Sequence, residues 1–91
     1  MATNLNFFKA IQFAQGMDHT ANPPVKTTAV DIKRAAWAGD KFLKKNPEMT
    51  KFGVPVFTLS TGGQETIFGA DAQGQNNMDS ADLTATDWQT V

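Results

Sequence analysis

Residues 32–43 read Ile32-Lys33-Arg34-Ala35-Ala36-Trp37-Ala38-Gly39-Asp40-Lys41-Phe42-Leu43, and the fold turns on whether they form one helix or two strands. Ala35, Ala36, Leu43 and the lysines favour helix, and Thr28 followed by Asp31 resembles a capping box. The strand reading puts Val30, Ile32, Arg34 and Ala36 on one face, with Lys33, Ala35 and Trp37 on the other. Ala38-Gly39-Asp40 is then a turn, and residues 41–44 a second short strand. Propensity leans towards helix, but the residues alone leave both readings open.

The same stretch holds the only arginine and one of two tryptophans. Arg34 can fork onto a phosphate, and Trp37 and the distant Trp88 can each stack on a base. Hydrophobic core is the competing role for both tryptophans. Three residues apart on a strand, Arg34 and Trp37 point to opposite faces. One pocket uses both only if a bulge, the Gly39 turn or a neighbouring subunit re-aims one of them.

Working outward, residues 4–16 read as an amphipathic helix. Thr3 or Asn4 is the expected cap, Leu5, Phe8 and Ile11 form a stripe, Phe7, Ala10 and Ala14 widen it, and Gly16 is the stop. Phe13 falls off the stripe, which suggests a wide core face or a second apolar surface. Residues 17–28 read as a loop, because Asn22-Pro23-Pro24 forbids helix. The loop histidine, His19, is most simply a solvated side chain.

Val54-Pro55-Val56-Phe57-Thr58-Leu59 and Glu65-Thr66-Ile67-Phe68 flank Gly62-Gly63, so they are expected to form a hairpin. Residues 69–78 are a polar loop. Asp79 and Ser80 can cap a short helix through Ala85, and residues 87–91 end the chain as a strand.

Ninety-one residues with no cysteine and one histidine make a single domain without disulfides or a thiolate metal site. A net charge of −1 argues against nucleic-acid binding through the overall field, so no DNA partner is expected. The charge is uneven, however. Residues 26–51 carry Lys26, Lys33, Arg34, Lys41, Lys44, Lys45 and Lys51 against three acids, whereas residues 62–91 carry five acids and no base. This asymmetry suits a local anion site or complementation within an assembly. No apolar run approaches the ~20 residues of a bilayer span, and the first residues do not resemble a signal peptide. The expectation is a cytoplasmic protein without a membrane partner.

Several chemical motifs fail on inspection. Gly62-Gly63 lacks the Lys-Ser/Thr of a phosphate-binding loop. The run from Asp71 to Asp82 has Asn76 where a calcium loop needs glycine, and Asp82 where it needs Glu. Asp79, Asp82 and Asp87 could pair for acid–base work, but caps and surface charge are the simpler role. No catalytic residues, metal or cofactor are therefore expected.

Three segments occur in an order that carries a resemblance: Asn6-Phe7-Phe8-Lys9-Ala10-Ile11, then Lys33-Arg34-Ala35-Ala36-Trp37-Ala38-Gly39, then Ser80 to Val91 with Asp87-Trp88 near its end. The chain resembles the phage-encoded second Thoeris anti-defence family, over about a third of its length, and the Asp-Trp ending is the most specific part. It departs from the family pattern at Ala38 (usually Asn), in the long link 17–31, and at Asn76, where an aromatic often stands six residues before Asp82.

The resemblance implies a sponge, which sequesters a cyclic ADP-ribose-type or cyclic oligonucleotide messenger, uncleaved, between protomers of a homotetramer. It implies strand for residues 30–36, and ligand contacts at Arg34, Trp37, Asn76, Asp82 and Trp88. Arg34 would neutralise phosphate, Trp37 would stack, and Asp82 would accept from a hydroxyl or order its loop. The expected fold is α+β: an N-terminal helix on an antiparallel sheet of about four to five strands, with a short helix near the C-terminus. A competing expectation is a phage module that inhibits a host protein through its acidic C-terminal half.

Overall fold

The computed structural model describes residues 2–18, 21–37, 39–49, 51, 55–69 and 79–91. Asn6 starts helix α1 (Phe7–Gln15) by accepting the backbone N–H of Lys9 on its side-chain oxygen at 2.8 Å. Thr3 and Asn4 do not cap it, because the chain before the helix runs along the sheet edge. There Leu5 and Trp88 exchange backbone hydrogen bonds of 2.9 and 3.0 Å. Gly16 ends the helix in the left-handed conformation at φ 71°, as its residue type predicts. With its first turn at Phe7, the helix buries Phe7, Ala10 and Ala14, and Phe8 is 66% exposed rather than on the stripe.

Residues 17–28 are not all loop. β1 (Met17–Asp18) and β2 (Val25–Lys26) pair as a small antiparallel sheet. β3 (Ile32–Arg34) and β4 (Lys41–Leu43) follow and pair antiparallel, so the two ends of the 32–43 stretch are strands. The remaining elements are β5 (Glu48–Met49), β6 (Pro55–Thr61), β7 (Gln64–Gly69), helix α2 (Ser80–Thr84) and β8 (Trp88–Thr90).

The main sheet has six strands, all antiparallel, against the four or five expected. The difference includes β5, whose two residues are too few to show a periodic signal. β8 pairs with β3, β3 with β4, and β6 accepts β4 and β5 along one edge and β7 along the other. The β6–β7 hairpin turns at Gly62 and Gly63, with φ 57° and 87°, conformations that favour glycine.

Register explains the core. Ile32 lies opposite both Leu43 and Thr90, Arg34 opposite Trp88, Leu43 opposite Leu59, and Phe57 opposite Phe68. Directly paired residues share a face, so these side chains form one inner surface, and α1 covers part of it. Trp88, Phe57, Ile32 and Leu43 are essentially without solvent exposure. Each such side chain contributes about 1.5–3 kcal/mol of burial. Phe7 bridges helix and sheet, its ring 4.9 Å from Trp88 and 6.1 Å from Phe57. Among the described residues no helix is long and apolar enough to cross a membrane.

Candidate functional site

β3 stops at Arg34 because the chain turns there: the Trp37 N–H donates to the Arg34 carbonyl at 3.1 Å. Strand alternation no longer governs Trp37. Its indole swings back to the inner face, edge-on to Trp88 at 5.1 Å and to Phe68 at 6.1 Å. Arg34 is the register partner of Trp88 on that same face. The turn thus brings Arg34 and Trp37 to one side of the sheet within a single chain.

Arg34 is committed to carboxylates. Its Nε donates to Asp87 Oδ1 at 2.9 Å, its Nη2 to Asp87 Oδ2 at 3.5 Å, and its Nη1 to Asp82 Oδ1 at 2.8 Å. Asp87 also holds the turn, accepting from Ala35 N on its carbonyl at 2.9 Å and from Ala36 N on Oδ2 at 3.3 Å. The hydrogen bond from Arg34, more than its bare charge, keeps the Asp87 carboxyl below the usual range despite partial burial. The two acids in turn raise Arg34, Asp87 contributing most. Arg34, expected to neutralise a phosphate, faces two carboxylates of its own chain, so its charge is already compensated within the fold.

Trp88 is corrected more sharply. It is 0% exposed, and its Nε1–H is satisfied by the Asp82 carbonyl at 2.9 Å. No ligand reaches that ring without unfolding the core. Asp82 likewise spends its carboxylate on Arg34 and its carbonyl on Trp88, so it joins α2 to the sheet rather than offering an open acceptor. Asp79 caps α2, accepting from Ala81 N at 3.0 Å. Each of the three acids considered for acid–base work thus has a structural partner. Asn76, like His19 and residues 71–78 of the calcium-like run, lies outside the described residues. Among the described residues no group of three or more His, Cys, Asp and Glu side chains could hold a metal.

Trp37 remains available, and it has a partner that the sequence reading missed. The half-buried Lys41 places its ammonium 4.7 Å from the centre of the Trp37 ring. A signal existed, since Lys41 stands four residues beyond Trp37, across the Gly39-Asp40 turn. Together they present a partly exposed indole beside a cation, a pairing suited to an aromatic anion. Nearby, Lys33 donates to the Gly39 carbonyl at 3.4 Å and adds a second positive charge to the turn.

A separate groove of about 760 Å³ runs beside α1, lined by residues that include Leu5, Lys9, Gln12, Phe13, Val30 and Thr90. None of Arg34, Trp37, Asp82 and Trp88 lines it. The groove is a separate concavity, but the indole–ammonium pair has the more specific chemistry, and it is the candidate site. No protein-family model, curated protein or solved structure matches the chain.

Proposed function

We propose that the protein is a non-enzymatic sponge, binding a cyclic nucleotide-type messenger as a homo-oligomer in the phage anti-defence setting that its sequence resemblance implies. The observation that carries this reading is the Lys41 ammonium poised over the half-buried Trp37 ring. Trp37 stacks on a base and Lys41 meets a phosphate. Arg34, Asp82 and Asp87 are the frame that holds the turn bearing Trp37. Binding without cleavage is supported by the structural engagement of Asp79, Asp82 and Asp87.

Calorimetry with a panel of cyclic ADP-ribose isomers and cyclic oligonucleotides tests the reading. At least one is expected to bind and to be recovered intact, with Trp37→Leu and Lys41→Glu each weakening it at least tenfold. Absence of heat across the panel, or recovery of a cleaved product, removes the sponge. Native mass spectrometry of protein purified from infected cells reports oligomer and retained ligand together. A stoichiometric host protein in place of a small molecule would favour an inhibitory interaction module.

A further inference from the structure

The groove beside α1 is built from parts of the chain far apart in sequence: the N-terminal edge segment, the helix, β1, residues 27–30 and Thr90 of β8. Its volume of about 760 Å³ lies within the range of small-molecule sites. Leu5, Phe13, Met17 and Val30 supply apolar wall, and Phe13, off the core stripe of the helix, is 37% exposed. Gln12 and Thr28 add polar groups.

The charges in the groove are unequal in availability. Lys9 is half-buried, and among the described residues no carboxylate lies within ion-pair distance of its ammonium. Asp18, which also lines the groove, already has a partner within the chain. A lysine that lays its stem on an apolar wall and keeps an unpaired ammonium at the end is complementary to one negative charge on an apolar body. The Asp18 carboxylate disfavours a second one.

We propose that this groove is a binding site, separate from Trp37 and Lys41, for a small amphipathic carboxylate: an aromatic or branched aliphatic body against Phe13 and Val30, with its single anionic head at Lys9.

Titration of the isotope-labelled full chain with indole-3-acetate, followed by amide chemical shifts, tests this, with the uncharged indole-3-acetamide as control. Shifts are expected to concentrate at residues 9–18 and 27–30, and the acid to bind about three- to fivefold tighter than the amide, the range of a partly exposed ion pair. Lys9→Gln should abolish that difference and leave amide binding in place, whereas Phe13→Ser should weaken both probes. The proposal is overturned if the acid produces no shifts in these segments at millimolar concentration, if it shifts Trp37 and Lys41 instead, or if acid and amide bind the unaltered chain equally.

Discussion

Arg34 and Asp87 are joined by a fork, Nε to Oδ1 at 2.9 Å and Nη2 to Oδ2 at 3.5 Å, across fifty-three positions of sequence. The fork fastens the end of β3 to the residue just before β8, and Asp82 closes the third side from α2. Replacing Asp87 by Asn removes a charge-assisted acceptor but keeps the size of the side chain. The variant is expected to lose about 1–2 kcal/mol of stability, at the lower end for charged hydrogen bonds because both side chains retain some exposure. Arg34→Lys should cost a similar amount, since an ammonium cannot fork. Urea unfolding measures both, and an unchanged midpoint for either would show that the network carries no stability.

The same pair sets a pH dependence. The folded-state pKa of Asp87 lies below its ordinary value of 3.8, mainly because Arg34 hydrogen-bonds to it. On acidification the unfolded chain takes up this proton first, so the unfolded state binds more protons and stability falls. The contribution of Asp87 is complete above the unfolded value and is lost as pH drops through the folded one. Arg34 has its pKa raised by its hydrogen bonds to Asp87 and Asp82 and stays protonated in both states at neutral and acid pH. The melting temperatures of the unaltered chain and of Asp87→Asn should therefore differ at pH 6 and converge towards pH 3. A gap that stays constant over that span would assign the stabilisation to something other than the carboxylate.

The two tryptophans should be distinguishable by light. Trp88 has no exposure, whereas Trp37 sits half-buried beside Lys41. In Trp37→Phe, the remaining emission should be blue-shifted and resist acrylamide. In Trp88→Phe, the remaining emission should be quenched more readily. Trp88→Phe should also be less stable by about 1–3 kcal/mol, because it leaves the Asp82 carbonyl without its indole donor. Efficient quenching of Trp88 in the folded chain would refute its place in the core.

Gly16 and Gly63 separate backbone conformation from steric room. Both have positive φ, 71° and 87°. A Cβ at Gly16 would lie 2.8 Å from the Thr27 carbonyl oxygen and 3.1 Å from the Ala29 nitrogen, whereas at Gly63 it would meet nothing within 4 Å. Gly63→Ala should cost only the left-handed penalty of about 1–2 kcal/mol. Gly16→Ala must also push apart α1 and the 27–29 backbone, so thermal melting should show a clearly larger loss. Equal losses would mean that the close approach at Gly16 relaxes without cost.

Legibility in the sequence followed the range of the interactions. Gly16 as helix stop, the hairpin about Gly62-Gly63, the Asp79 cap and the final strand rest on signals within a few residues. The α+β architecture was readable from them. Residues 32–43 were not: Ala35, Ala36 and the lysines favour helix locally, and strand entered through resemblance to a family. In the structure β3 is paired on both sides, and Ile32 is buried between Leu43 and Thr90. Leu43 lies just across the turn, but Thr90 lies too far along the chain for any local window to weigh.

The side-chain roles divide in the same way. The residue types alone determined that the chain has one arginine, able to fork onto an anion, and two tryptophans, able to stack or to fill a core. Only the tertiary structure decided that Trp88 is core, that Arg34 belongs to Asp82 and Asp87, and that Trp37 is aimed at Lys41. Period-two alternation predicted opposite faces for Arg34 and Trp37, and it fails because the strand ends at Arg34, where Asp87 supports the turn. Composition states which charges exist. Their pairing is a matter of distance in space, and for Arg34 and Asp87 that distance is set by β8 lying against β3.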